Sequence, residues 1–175
     1  ADSSLIGQYG YYSMSGLNDG AYLLKAVLTP GTDQADDFIP TYHYYSPTWE
    51  TANAHILPNW LTVTTDIFLL PSTDFNGGGV IGGFITDPNH LVAGENEEHR
   101  GLDGLNNIEV LLSNAEGQPL NYAITLQDGS FRFTGLPWGT YRVRFDIPGL
   151  TSPDIWVTLT PEDPERLQVN LVVND

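Results

Sequence analysis

The residues with the clearest potential for chemistry lie in one acidic stretch, residues 86–107, which reads TDPNHLVAGENEEHRGLDGLNN. Its carboxylate and amide oxygens are the hard ligands that Ca²⁺ takes in proteins. The candidate ligands are Asp87, Asn89, Glu95, Glu97, Glu98 and Asp103. The spacing is not that of an EF-hand, and a solvated loop explains the same residues. Calcium is the cofactor that this stretch suggests, and the rest of the sequence requires none.

A second group of candidates is aromatic and lies in PTYHYYSPTW, residues 40–49. The group consists of Tyr42, Tyr44, Tyr45 and Trp49. Tyrosine and tryptophan are frequent at interfaces because a large apolar ring carries a polar handle. The same rings would also suit packing over a small core or stacking on a sugar. The sequence therefore predicts an interface or a ligand site, with packing over a small core as the alternative.

A third group is basic and lies in QDGSFRFTGLPWGTYRVRF, residues 127–145. Apolar and polar residues alternate on both sides of a turn rich in glycine and proline, which predicts a β-hairpin. In that hairpin Arg132 and Arg142 lie opposite each other, and Arg144 lies beside them. Facing like charges are unfavourable unless an anion is near. The anion would be Glu109, Asp154 or an acidic neighbouring molecule.

The composition excludes several function classes. The chain has no Gly-x-Ser-x-Gly, His-Glu-x-x-His or phosphate-binding glycine motif, so we predict that it is not an enzyme. The net charge of −16, from 22 acidic and 6 basic residues, opposes nucleic acids and anionic membranes as partners. No apolar run of about 18 residues is present, so no membrane insertion is expected.

A repeat organises the elements that carry these candidates. Residues 8–26 align without gaps with residues 127–145, so the two stretches are predicted to fold alike. The matched positions include Gly10 with Gly129, Gly16-Leu17 with Gly135-Leu136, Gly20 with Gly139 and Tyr22 with Tyr141.

Short alternating segments surround the second copy of the repeat. They are residues 80–86, 108–112, 122–126, the two hairpin strands, 155–159 and 167–173. About seven short strands separated by turns are typical of a Greek-key β-sandwich.

The residues that carry a family resemblance are GVIGGFITD, DGSFRFTGLPWGTY and the final LQVNLVV. Over residues 77–175 the sequence resembles the transthyretin-like module, also called carboxypeptidase regulatory-like domain or B-type repeat of bacterial adhesins. The first copy resembles the later two-thirds of the same module. The prediction is an all-β chain of two tandem Ig-like, transthyretin-like Greek-key sandwiches, the first lacking its two opening strands. The predicted divisions are 1–71, a Gly-rich linker at 72–79, and 80–175.

The resemblance implies an extracellular, cell-surface protein with a structural or adhesive role. The missing strands have three explanations: a longer parent chain, a shortened sandwich that folds back on itself, or strands donated by a neighbouring molecule, which would build a filament. The expected partners are therefore copies of the chain or neighbouring β-modules. The alternative function is a ligand-binding or glycan-binding accessory module of a larger secreted protein.

Adhesin repeats of this type sometimes form a Lys-to-Asn cross-link. The only lysine, Lys25, alternates with Leu24 and Ala26, which predicts that its side chain points outward. On that ground we expect no such cross-link in this chain.

Overall fold

The computed structural model describes residues 3–29, 31–58, 62–91 and 102–173, which form short strands and three 3-10 turns. No helix in these ranges is long and apolar enough to cross a membrane. Six strands lie in what we call the N-terminal region, residues 3–71: β1 Gly20–Tyr22, β2 Lys25–Ala26, β3 Phe38–Ile39, β4 Thr41–Tyr42, β5 His55–Leu57 and β6 Leu70–Pro71. The 3-10 turns are Gln8–Gly10, Ala35–Asp37 and Trp49–Thr51.

Eight further strands, most of them longer, form what we call the C-terminal sandwich, residues 79–173. They are β7 Gly79–Leu91, β8 Leu102–Gly104, β9 Glu109–Asn114, β10 Pro119–Ile124, β11 Ser130–Leu136, β12 Gly139–Asp146, β13 Ile155–Leu159 and β14 Glu165–Val172. One sheet has the order β10-β9-β12-β13 and is antiparallel. The other has the order β11-β7-β14, with β8 also paired to β7, and β14 runs parallel to β7.

The core of the sandwich follows from alternation along the strands. In β12 the side chains of Tyr141, Val143 and Phe145 are buried, while Arg142 and Arg144 lie between them on the other face. Because successive side chains in a strand point to opposite faces, one apolar row from each sheet meets the other in the middle. The most deeply buried members are Ile81, Ile85, Val110, Leu112, Leu136, Val143, Leu159 and Leu171.

The predicted hairpin is wrong. β11 pairs with β7, and β12 pairs with β9 and β13, so the two strands belong to opposite sheets. Arg132 consequently lies opposite Gly82, whereas Arg142 lies opposite Ser113 and Trp156. The alternation correctly indicated which side chains face the core, but it does not specify the neighbouring strand. The glycine and proline turn joins two sheets across the core.

Two glycines are required by close backbone approaches. A Cβ on Gly83, in the central strand β7, would lie 1.8 Å from the carbonyl oxygen of Val169 on β14. A Cβ on Gly77 would lie 2.3 Å from the carbonyl oxygen of Leu136. Both distances are far below contact, so only glycine fits at these positions.

The segment between the two groups of strands is anchored by backbone hydrogen bonds. The amide of Ser72 donates to Asp37, that of Thr73 donates to Leu120, and that of Gly77 donates to Gly135. The segment therefore bonds to both the N-terminal region and the sandwich. The division into 1–71, 72–79 and 80–175 stays a prediction.

The N-terminal region is built differently from the sandwich. Its six strands form three separate two-stranded sheets, β1-β5, β2-β4 and β3-β6. The first repeat copy contains only the three-residue β1 and the two-residue β2, whereas the second contains strands of seven and eight residues. The prediction that the two copies fold alike is therefore wrong.

Candidate functional site

An ionic cluster joins the N-terminal region to the sandwich. Lys25, on β2, donates from Nζ to Oε2 of Glu109 at 2.6 Å and to Oδ2 of Asp146 at 2.7 Å. Glu109 and Asp146 are directly opposite each other on the neighbouring strands β9 and β12. The pairing of these strands thus places two carboxylates side by side on the face of the sheet opposite the core, and the cation that bridges them comes from the other region.

Asp146 is the centre of this cluster. Its side chain is 1% exposed. Besides Lys25, it accepts a hydrogen bond from the hydroxyl of Tyr42 at 2.9 Å and one from the backbone amide of Trp49 at 2.8 Å. A buried carboxylate is costly unless donors surround it. All three donors belong to the N-terminal region, so the contact between the two regions stabilises this carboxylate.

Burial shapes the ionisation of the groups around Asp146. Burial raises the pKa of the Glu109 carboxyl, Lys25 opposes this shift, and Asp146 adds to it. Burial, the charge of Asp146 and the hydrogen bond to it raise the pKa of Tyr42 far above its usual value. The phenol of Tyr42 therefore keeps its proton and acts as a donor. The Lys25 ammonium also lies 4.5 Å from the centre of the Tyr42 ring, within reach of a cation–π contact.

Two of the predicted arginines extend the contact. Arg144 pairs with Glu50 of the N-terminal region and, from Nε, lies 3.1 Å from Oδ1 of Asp154. Arg142 lies 3.7 Å from Asp154 and 5.9 Å from the Trp156 ring. Asp154 lies beside both arginines, where the sequence required an anion. The like charges of Arg142 and Arg144 are thereby compensated within the chain.

The predicted aromatic group divides into two pairs. Tyr42 is buried, and Trp49 donates from Nε1 to the carbonyl of Leu150 at 3.0 Å, so both lie in the contact between the regions. Tyr44 and Tyr45 are 65% and 56% exposed. They occupy a turn in which both have positive φ, 64° and 58°. Such a conformation is unusual for tyrosine and holds the two rings outside the core.

The exposed pair has an additional aromatic neighbour. The ring of Phe68 stacks on that of Tyr45, with centroids 5.5 Å apart and planes 10° apart, and Phe68 is 55% exposed. Tyr44 packs against His43 with a centroid distance of 3.9 Å. The turn thus presents an aromatic patch, Tyr44, Tyr45 and Phe68, which includes a residue that the sequence analysis missed.

A buried histidine pair lies beneath this patch. Nδ1 of His43 and Nε2 of His55 are 2.7 Å apart, and Nε2 of His43 is 2.5 Å from Oγ1 of Thr65. Burial, and secondarily the charge of His55, lowers the pKa of His43. The contacts of His43 connect three segments of the N-terminal region.

Lys25 lies at the centre of the contact, where the sequence did not predict it. The prediction that Lys25 points outward is wrong: its side chain is 19% exposed and faces Glu109 and Asp146. Alternation gave the wrong face because β2 has only two residues and packs against a neighbour outside its own sheet. The available signal was that a chain of net charge −16 has a single lysine.

The calcium prediction falls mostly outside the described residues. Glu95, Glu97 and Glu98 lie there entirely, and for Asn89 and Asp103 only the backbone is described, in β7 and β8. Asp87 pairs in register with Asp103. In the ranges that the structure describes, no group of three or more His, Asp or Glu side chains is placed to hold a metal ion. Calcium binding stays a prediction.

Comparison with known proteins finds a domain match within the sandwich. Residues 101–172 match the carboxypeptidase regulatory-like domain. Serine-aspartate repeat-containing protein D of Staphylococcus aureus is 26% identical over 152 residues, which are 82% of this chain and 10% of that protein. Serine-aspartate repeat-containing protein F of Staphylococcus epidermidis is 23% identical over 150 residues, 81% of this chain and 8% of that protein. The chain thus spans about a tenth of these relatives.

One solved structure with some similarity is BcpA, the major pilin subunit of Bacillus cereus. It is 11% identical, with a TM-score of 0.41, over 61% of this chain and 31% of that chain. This TM-score is too low to establish a shared fold. The family match is independent of it and covers most of the sandwich strands. The resemblance inferred from the sequence is therefore confirmed: residues 101–172 of this chain match the carboxypeptidase regulatory-like domain.

Proposed function

We propose that the chain is a non-enzymatic structural or adhesive unit of an extracellular bacterial surface protein. The observation that carries this proposal is the unequal construction of the two regions. The hydrophobic core cluster of the described residues is formed by sandwich residues alone. The N-terminal region consists of two-stranded sheets, which are at best marginally stable in isolation. Such a region needs contacts with other segments or other chains to be stable. Contacts of this kind are what a structural subunit makes.

The charged and aromatic residues around Asp146 support the same role. Lys25 and Tyr42 both donate to Asp146, and the contact holds the N-terminal region on the sandwich through Lys25, Tyr42 and Glu50. A catalytic site would leave reactive groups facing a substrate cavity. This arrangement suits a rigid joint that transmits force between two parts of an extended protein.

In this proposal the N-terminal region is a second transthyretin-like module of Greek-key type, and strands from another chain complete it. Strand addition uses the unpaired backbone groups that sheet edges present. A head-to-tail arrangement does not close on itself and therefore propagates as a filament. Neighbouring modules of a longer polypeptide would supply strands in the same way.

Negative-stain electron microscopy of the purified chain, with and without calcium, tests the proposal. We expect regular filaments whose repeat matches the length of one chain, and a dependence on protein concentration. Dispersed single particles at all concentrations, together with a monomeric mass in sedimentation, would contradict assembly by strand completion. A calcium requirement would at the same time test the prediction for Asp87 and its neighbours.

The aromatic patch favours a second candidate function, glycan binding by an accessory module. Tyr44, Tyr45 and Phe68 present exposed rings in a fixed geometry. Aromatic faces stack on the apolar faces of sugar rings, and a rigid patch loses little conformational entropy on binding. A glycan array followed by titration calorimetry tests this function. Binding that Tyr45→Ala abolishes and Trp138→Ala leaves unchanged would support it, since Trp138 is a similarly exposed ring in the sandwich.

A further inference from the structure

The first described residues form an exposed apolar segment, which we call the arm (residues 3–9). Leu5, Ile6 and Tyr9 are 91%, 51% and 84% exposed. The arm ends in a turn in which the amide of Gly7 donates to the carbonyl of Tyr11, and Tyr9 has a φ of 69°. Large apolar side chains in water are unfavourable, and a contiguous exposed group commonly marks an interaction site.

A cleft of about 540 Å³ lies next to the arm, between residues 10–17 on one side and His55, Leu57, Pro58 and residues 62–66 on the other. Its apolar lining includes Tyr12, Met14, Leu17, Leu57 and Val63. Asp66 is the only acidic residue among the described residues that line it, and no lysine or arginine does so. The cleft thus presents a largely uncharged surface of the type that the arm would bury.

Both walls of the cleft have free backbone groups. Residues 12–17 and 62–69 belong to no strand, and within the described ranges no backbone–backbone hydrogen bond involves them. The hydroxyl of Tyr12 bonds the carbonyl of Thr65 at 2.9 Å and links the two walls. Backbone groups without partners are the usual recognition surface for an added strand.

We propose that the cleft receives the arm of a second copy of this chain as an added strand. This inference rests on the proposed function and names the donor and the acceptor of its strand completion. Two chains that each carry a net charge of −16 repel each other, so their contact should be made by uncharged segments. Residues 3–17 contain no Asp, Glu, Lys or Arg, and they provide both the arm and one wall of the cleft.

The arm continues directly into a wall of its own cleft at Gly10. Insertion between molecules leaves each chain with one free arm and one free cleft, so each copy binds the next in the same orientation. The contact is heterologous and does not close unless its rotation forms a ring. Insertion of the arm into the cleft of the same chain is the competing arrangement, and the experiment distinguishes it.

Cysteine cross-linking tests the contact without background, because the chain contains no cysteine. The single variants Leu5→Cys and Val63→Cys are mixed and oxidised. We expect a disulfide between the two variants, since a disulfide forms only when two Cβ atoms come within a few ångströms. The matched control mixes Leu5→Cys with Leu126→Cys, which lies in the sandwich and is 66% exposed. Equal cross-linking of both mixtures would overturn the proposal. So would a double variant that cross-links only within one chain at all concentrations.

A complementation experiment separates this inference from the proposed function. The arm variant Leu5→Asp and the cleft variant Val63→Asp should each weaken self-association by at least about tenfold, because each buries a charge in an apolar contact. Mixed together, they should give a heterodimer that does not grow, since one variant retains only its cleft and the other only its arm.

The outcomes of that experiment are distinct. Filaments of normal length from both variants would overturn the arm and cleft assignment and leave the structural function standing. A wild-type chain that stays monomeric in sedimentation would overturn both the assignment and assembly by strand completion.

Discussion

The two regions of the chain differ in the fraction of their apolar side chains that is buried. Among the residues that the structure describes, 20 apolar residues are buried, 16 in the sandwich and 4 in the N-terminal region. Of the 17 large apolar residues that are exposed in the same ranges, 11 lie in the N-terminal region and 6 in the sandwich. A difference in sequence pattern does not explain this, because the repeat places similar segments in both regions. It follows from the number of paired strands, since only the sandwich has two multi-stranded sheets to enclose a core.

The polar contacts, in contrast, join the two regions. The buried carboxylate of Asp146 belongs to the sandwich, but its donors belong to the N-terminal region. The sandwich is therefore stabilised mainly by apolar burial, and the N-terminal region is held in place mainly by hydrogen bonds and ion pairs on the sandwich. Substitutions that affect one kind of contact should consequently affect the regions unequally.

The largest expected effect comes from the sandwich core. Leu112 is fully buried between the sheets, so Leu112→Ala should lower the free energy of unfolding by about 2–5 kcal/mol. Leu5→Ala is the matched change in the N-terminal region, and in the monomer it should alter stability by less than about 0.5 kcal/mol. Urea unfolding followed by circular dichroism measures both. Equal losses for the two variants would mean that the regions share one core.

The next largest effect concerns the contact between the regions. Lys25→Met leaves the carboxylates of Glu109 and Asp146 adjacent without a cation. We expect a loss of about 1–3 kcal/mol, because removing one partner of a buried ion pair is destabilising and a fifth of the Lys25 surface is exposed. In hydrogen exchange, protection should fall in β2 and β4 and should persist in β12. If protection fell equally in all strands, the contact between the regions could not open independently of the sandwich, and the prediction would be wrong.

Two controls accompany Lys25→Met. Arg166→Met removes an ion pair with Asp163 in which both side chains are nearly half exposed, and it should change stability by less than about 0.5 kcal/mol. The intact mass of the wild-type chain tests for a covalent link, because an amide between Lys25 and Asp146 would remove one water. The unmodified mass would mean that Lys25 and Asp146 form a hydrogen-bonded pair, and a mass lower by one water would mean that they are joined covalently.

A pH dependence should also separate the two regions. Burial lowers the pKa of His43 in the folded chain below its usual 6.5, so the unfolded chain binds this proton more readily. The stabilisation is complete above about pH 6.5 and is lost as the pH falls toward the folded pKa of His43. Hydrogen exchange near residues 41–46 should accelerate on acidification before exchange in the sandwich does.

The variant His43→Gln tests the source of that pH dependence. Glu109 has the opposite sign: its pKa is raised by burial, so its contribution to stability decreases as the pH rises from 4.5 through the folded pKa. If acid opening arises from His43, His43→Gln should remove it and leave the contribution of Glu109. An unchanged acid response in His43→Gln would assign the effect to another group.

The sequence predicted the strands of the sandwich well, but not how they pair. Residues 155–159 match β13, and the other predicted strands overlap the observed ones to within a few residues. Alternation identifies the buried face of a strand directly, so Val143 and Phe145 were found. Pairing depends on contacts between distant residues, so the placement of β11 beside β7 was not found. The bulge between Arg166 and Val169 likewise leaves Leu167 44% exposed despite its place in an alternating row.

The site was predictable only where residue type alone was informative. Tyr42, Trp49, Arg142 and Arg144 were identified because clustered Tyr and Trp favour interfaces and because neighbouring arginines need an anion. Asp146 and the inward placement of Lys25 were missed, and Glu109 was named only as a partner for the arginines, because the contact joins segments about 80 to 120 residues apart. Phe68 was missed for the same reason, since only the fold brings it onto Tyr45.

The smallest expected effect on stability lies in the aromatic patch, where the comparison of the two regions is sharpest. Phe68→Ala removes a stacked pair, which contributes about 0.5–1.5 kcal/mol when buried, but both rings are more than half exposed. We therefore expect a loss of less than about 1 kcal/mol. The matched change is Phe131→Ala, a buried ring in β11, which should cost about 3–5 kcal/mol.

Thermal unfolding of both variants gives the comparison directly. A large loss for Phe68→Ala would mean that the patch packs against a core of the N-terminal region, and the patch would then lose its value as a binding surface. A small loss would mean that Tyr44, Tyr45 and Phe68 contribute little to the stability of the fold. Exposed rings held in an unfavourable backbone conformation, with little return in stability, are best explained by contact with something outside the chain.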